Sequence, residues 1–205
     1  MQQRTGNGDA TAGAEDARPV RERILRATLR LVADEGVDAV THRAVAARAG
    51  VSPGSTTHHF SSRLDLLEEA FRYYLREGEA MVRLLMEQAR RGDDRVETLV
   101  AQLRTAIDPS FNYGLTRAEY ELLLFAVDRP ELAAEVLSWE QAMVGVLAAQ
   151  LERVGVAKPM SSARALYHLI RGFELERLLD PRLGADDFEE RIGPVLRGLV
   201  AISAE

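Results

Sequence analysis

The chain has 205 residues, 46% apolar and 28% charged, a balance that suits one or two compact domains with a hydrophobic core and excludes bulk disorder. Its 26 basic and 32 acidic residues leave a net charge of −6, so the chain as a whole is no general polyanion binder. The lack of cysteine excludes disulfides, zinc ribbons, iron–sulfur clusters and thiol nucleophiles.

The charge is unevenly spread. Residues 1–17 are rich in Gly, Ala, Thr, Asn and Asp, carry a net −2 and read as a flexible arm. Residues 18–63 hold eight arginines against Glu22, Asp34, Glu35 and Asp38, a net +4, and the remainder carries −8. A basic segment on an acidic body points to two jobs in one chain, with DNA repelled everywhere but at that segment. No apolar run approaches the ~20 residues that cross a bilayer, and the first residues lack a signal peptide's apolar region, so the expected location is cytoplasmic.

In chain order, Ile24, Ala27, Leu31 and Val32 follow the helical period from Arg21, and Gly36 sits at the stop. Thr41 caps a second short helix with a small-residue face at Ala44, Val45, Ala46 and Ala49. Ser52 as N-cap and Pro53 at the first helical position open a third. Ser61 and Ser62 start a fourth, striped by Leu64, Leu67, Phe71, Tyr74 and Leu75. Further helices are predicted at 78–91, 95–107, 116–128, 131–154, 161–179 and 186–203, separated by Gly and Pro. Leu122 to Val127 is apolar all round and predicts a centrally buried helix. With strand signals nearly absent, the fold class is all-α: a flexible arm at 1–17, a three-helix helix-turn-helix domain at 18–77 and a larger helical domain at 78–205.

The stretch Thr41 to Phe60, THRAVAARAGVSPGSTTHHF, carries the chemistry. Two short helices meet at AGVS, where Gly50 tolerates the positive φ that a tight helix-helix turn needs. This is helix-turn-helix logic: one helix braces against the DNA backbone while the next enters the major groove. The second helix displays Ser55, Thr56, Thr57, His58 and His59, whose polar groups can bond base edges or phosphates. Phe60 is expected to pack near Leu31 and Val45 as an anchor, and Arg63, at the start of the fourth helix, to clamp a phosphate.

Residues 21–77 resemble the DNA-binding domain of the TetR family of bacterial transcriptional regulators. The resemblance rests on a first helix ending near DEGVDAVT, then THRAVAARAGVSPGS, an HF pair and SSRLDLL, in that order and spacing. The family often carries a Tyr near the middle of the recognition helix, where this chain has Thr57; the family's basic residue at Arg63 is kept. The C-terminal region is similar only in length and helical layout. The resemblance implies a homodimer on a partly palindromic double-stranded DNA operator, probing successive major grooves ~34 Å apart and released by a small-molecule effector. Thr41 and Arg43 would then hold phosphates, and Ser52 would flank the reading helix. A repressor is the expected role; the alternative is a helical protein-interaction module whose helix-turn-helix segment only packs.

Neither metal nor cofactor is expected. His58 and His59 are adjacent and diverge by ~100° on a helix, while His42 and His168 lack a partner at i+3 or i+4. Without GxGxxG, a phosphate loop or a nucleophile–base pair, the chain is not read as an enzyme, and Arg117 with Glu121 reads as an exposed ion pair. An apolar or aromatic effector would find Met81, Leu85, Phe111, Tyr113, Tyr120, Phe125, Trp139, Met143, His168 and Phe173 as candidate lining, with Glu174 as counter-charge to a cationic one. The dimer surface is expected on two stripes: Leu132, Val136, Trp139, Met143, Leu147, Leu151 and Val154, and Ala163, Leu166, Ile170, Gly172, Phe173 and Leu178.

Overall fold

A computed structural model describes residues 18–91, 93–106 and 115–203, without the side chains of 85, 86, 88–91 and 106. The described residues form helices and turns with no strand, so the all-α class holds. The helices are α1 (Val20–Glu35), α2 (His42–Ala49), α3 (Pro53–His59), α4 (Arg63–Arg91), α5 (Val96–Ala106), α6 (Thr116–Ala126), α7 (Pro130–Arg153), α8 (Pro159–Leu179) and α9 (Ala185–Ser203). A 3-10 turn, Val37–Ala39, joins α1 to α2. The chain divides into two compact units, one ending at Tyr74 and the other starting at Leu75.

The fourth helix and the helix expected at 78–91 are one. Gly78 lies inside this helix, and its missing side chain is put to use. A Cβ there would lie 3.3 Å from the Trp139 indole, so glycine is what lets the ring lie against the helix. At its start the Asp65 N–H donates to the Ser62 hydroxyl (3.0 Å), while the Asp65 carboxylate accepts from the Ser61 N–H (2.7 Å), satisfying the first turn's donors.

The first unit closes around Ile24, Leu25, Leu29 and Val32 of α1, Val45 and Ala46 of α2, Phe60, and Leu66, Leu67 and Phe71 of α4, all buried. Phe60 is only 1% exposed, and the Arg21 guanidinium lies 5.4 Å above its ring.

The second unit's core joins Leu99 and Val100 of α5, Val144, Leu147 and Leu151 of α7, Ala163, Leu166 and Phe173 of α8, and Phe188, Ile192 and Leu196 of α9. The α7 stripe expected at a dimer surface is therefore internal, and so is the larger part of the α8 stripe. These two long helices have each other, α5 and α9 to cover them. Phe173 meets Phe188 edge to face at 5.4 Å and is a core residue, not pocket lining. α7 is long and apolar enough by composition to cross a membrane, which a search for an unbroken apolar run misses because Glu135 and Glu140 interrupt it. Nor is α6 centrally buried: Leu122 and Ala126 are covered, but Leu124 and Val127 are 73% and 70% exposed. One face of α6 packs on α7 and α8, and the opposite face lacks a cover among the described residues.

Phe60→Ala should cost about 3–5 kcal/mol, because the buried ring leaves a cavity at the meeting point of α1, α3 and α4. Urea unfolding followed by circular dichroism checks this; a loss below about 1 kcal/mol would mean the ring is not the anchor.

Candidate functional site

The turn between α2 and α3 is built at Gly50, which takes the left-handed conformation at φ 65°. The Val51 N–H reaches back to the Ala46 carbonyl (3.0 Å), and the Arg23 guanidinium donates to the Ala49 (2.9 Å) and Gly50 (3.2 Å) carbonyls. A side chain at 50 would be strained in φ and would crowd that guanidinium at 3.2 Å. Both helix starts are capped: Thr41 Oγ1 accepts from the Ala44 N–H and Ser52 Oγ from the Ser55 N–H, each at 3.1 Å. The Ser52 and Ser55 hydroxyls lie 2.9 Å apart.

α3 has two faces. Thr57, His58 and His59 are exposed and Ser55 partly so. The two imidazoles meet edge to face at 5.2 Å, and the Thr57 hydroxyl donates to the Gly54 carbonyl at 3.1 Å. Thr56 departs from expectation. It is fully buried, with its hydroxyl donating to the Pro53 carbonyl at 2.8 Å and lying 3.4 Å from the His42 carbonyl, so it cannot touch a duplex. A seven-residue helix must give one line of side chains to the core, and Thr56 with Phe60, one turn apart, is that line.

Arg63, the expected phosphate clamp, is exposed at the start of α4 and already bonded within the chain. Its Nε donates to the Val40 carbonyl (2.8 Å) and another guanidinium nitrogen to the Val37 carbonyl (2.7 Å), with Asp38 at 3.6 Å. These bonds brace the 3-10 turn. Arg48 is paired with Asp34 and with Glu35, the latter at 3.6 Å. Arg43 is exposed on α2 and pairs with no group among the described residues.

The pocket candidates of the second unit separate. Phe111, Tyr113 and the Leu85 side chain lie outside the described residues. Met81, Tyr120, Phe125, Trp139 and Met143 are half-buried. His168 is exposed beside an open apolar trough with Met160 and Ala165, and the Arg129 guanidinium stacks on Phe125 at 3.5 Å. Arg117 and Glu121 form the exposed pair at 2.9 Å.

Glu174 lies in a buried charged cluster that the sequence reading missed. Arg171 pairs with Glu119 of α6 and, at 3.2 Å, with Glu174 of its own helix, and its guanidinium lies 4.4 Å from the Tyr120 ring centre. The Tyr120 hydroxyl donates to the Arg171 carbonyl at 2.6 Å, and buried Arg177 lies 3.4 Å from Thr116 Oγ1. Tyr167, whose hydroxyl is 3.5 Å from Glu140 of α7, completes the group. Arg171, Glu174 and Arg177 recur every three residues, a spacing that makes successive charges neighbours on the helix and was the available signal.

Burial, then the neighbouring Glu119, pushes the Glu174 carboxyl up to about 7 against the pull of Arg171 and Arg177. Burial also pushes the Tyr120 hydroxyl up to about 12 and raises Tyr167. For Arg171, burial works against the charge, but Glu119 and Glu174 outweigh it and hold the guanidinium firmly charged. Glu174 thus keeps its proton in the folded chain up to about 7, while the unfolded chain releases it near 4.5, so its contribution to stability falls as pH rises between those values. Glu174→Gln should show a flatter loss of stability from pH 4.5 to 7.5 than the parent chain in urea unfolding; parallel curves would mean the carboxyl ionises normally when folded.

Comparison with known proteins fits this geometry. A family model described as "Bacterial regulatory proteins, tetR family" matches residues 24–70, and one described as "Tetracyclin repressor-like, C-terminal domain" matches residues 90–202. The HTH-type transcriptional regulator BetI of Stenotrophomonas maltophilia (strain R551-3) is 31% identical over 171 residues, 80% of this chain and 82% of that protein. The crystal structure of a transcriptional regulator from Rhodococcus sp. Rha1 shares the fold, with a TM-score of 0.74 at 22% identity, covering 88% of this chain and 96% of that one. The multidrug binding protein EbrR complexed with ethidium is 30% identical, with a TM-score of 0.61, covering 89% and 99%. Matched in both its helix-turn-helix and its C-terminal helices, the chain belongs to the TetR family of bacterial DNA-binding transcriptional regulators.

Proposed function

We propose that the protein is a cytoplasmic, ligand-responsive repressor that binds a partly palindromic operator as a homodimer and is released by a small-molecule effector, acting by binding and not by catalysis. The observation that carries this reading is the outward face of α3, where Thr57, His58 and His59 stand exposed beside Ser55, on a helix held from behind by Thr56 and Phe60. In this reading Ser55, Thr57, His58 and His59 meet base edges, while Thr41, Arg43 and Ser52 meet phosphates. The domain around residues 78–205 takes the effector and dimerises. That EbrR, 30% identical, is complexed with ethidium supports a small-molecule effector.

The dimer face in this reading is the outer side of α8 with α9. Leu169, Leu175, Leu179, Val195 and Ile202 are exposed along these helices. Gly172 and Gly198 sit within them, and a Cβ at either would meet nothing within 4 Å among the described residues. A mid-helix glycine costs about 1 kcal/mol against alanine, and close approach of a second copy gives that cost a reason. Leu169→Glu with Leu175→Glu should convert a dimer to a monomer by analytical ultracentrifugation and abolish operator binding. Dimers of unchanged stability would place the interface elsewhere.

Selection of bound duplexes from a random pool tests the central reading. Recovery of a partly palindromic sequence is the expected result, and no enrichment favours a protein-interaction module. On the selected operator, Arg43→Ala should weaken binding at every sequence and flatten the log–log salt dependence by about one unit, the loss of one phosphate contact. Arg63→Ala should leave that slope and instead lower stability by about 1–2 kcal/mol through the two lost carbonyl bonds. A slope change for Arg63 as large as for Arg43 would restore it as a phosphate contact.

A further inference from the structure

We propose that the Arg171 guanidinium occupies the seat of the effector's cationic group, so that a small monovalent organic cation binds by displacing it from Glu119, Glu174 and the Tyr120 ring. This rests on the effector-responsive reading above and names the chemical class of the effector.

Two carboxylates from different helices converge on one guanidinium, and both are largely removed from water, Glu119 with 8% and Glu174 with 14% of its side chain exposed. The tyrosine ring supplies a third element, an aromatic face 4.4 Å from the guanidinium carbon. Desolvated acidic groups beside an aromatic face recognise quaternary ammonium and guanidinium groups, whose weakly hydrated charge gains from such a cage.

The present occupant is tethered and removable. Arg171 is held by its side chain, which keeps some access to solvent, and the Tyr120 hydroxyl bonds its backbone carbonyl and not its guanidinium. The side chain can therefore leave without α8 moving. Charge sets the valence of the replacement. Exchanging one internal monocation for one external monocation leaves the charge facing Glu119 and Glu174 unchanged, whereas a dication or an anion would alter it. A seat already filled from within also lowers apparent affinity by the fraction of time it is empty.

The test is calorimetric titration of the full chain with methylguanidinium, tetramethylammonium and neutral N-methylurea. Arg171→Ala should bind both cations at least about tenfold more tightly than the parent chain, with no gain for the urea, and adding Glu174→Gln should abolish the gain. Because Arg171→Ala strands two carboxylates, Arg171→Met serves as a second variant that keeps the volume, and thermal melting with millimolar methylguanidinium reads binding independently. Cation affinity unchanged or lower in both variants overturns the proposal, as does failure of both to fold even with the cation present, which would make Arg171 purely structural. Adding the cation to the operator complex separates the two readings. Tight binding without operator release supports the seat and overturns the effector reading, whereas release by neutral compounds, with no cation gain in Arg171→Ala, does the reverse.

Discussion

The DNA-reading face depends on how a seven-residue helix is held. α3 is too short to be stable by itself, so its orientation must come from its ends and its buried side. The left-handed Gly50 and the Arg23 guanidinium define the entry, Ser52 caps the first turn, and Phe60 is sunk into the core at the exit. Thr56 supplies the remaining constraint, burying a hydroxyl that is satisfied by backbone carbonyls rather than by a base. What is left over, Ser55 with Thr57, His58 and His59, is exposed because the core has no further room for it.

The same economy governs the arginines. Arg23 and Arg63 both spend their guanidinium groups on backbone carbonyls at turns, and Arg48 is paired with acids of α1. A net positive segment is thus mostly an internal scaffold of charge-assisted bonds, with Arg43 standing apart among the described residues. Counting positive charges identifies the segment, whereas bonding geometry decides which charges remain available to a phosphate.

In the second unit the core is aliphatic and aromatic, yet α6 and α8 share a buried ionic cluster. Such a cluster is a poor device for stability, since burying ions costs about as much as their attraction returns. A stability role alone therefore does not account for it, and Arg171 supplies an internal counter-charge to the acids of α6 and α8. The long α4 belongs by sequence to both units, so helical backbone rather than a loop joins them.

The primary structure alone determined the helical class, the left-handed turn at Gly50, the caps at Thr41 and Ser52 and the family, because each depends on local backbone chemistry or on residue order. The exposed Arg117–Glu121 pair was legible for the same reason, being a matter of spacing along one helix. Only tertiary structure decided that Thr56 is buried, that Arg63 bonds the carbonyls of the preceding turn, that Gly78 lies against Trp139, and that the α7 stripe is core. It also brought Glu119 together with Arg171 and Glu174 across 52 residues of chain. The physical reason is common to all of these: periodicity says which face of a helix is apolar, but which neighbour covers that face, and which charge waits opposite, is set by packing between helices distant in sequence.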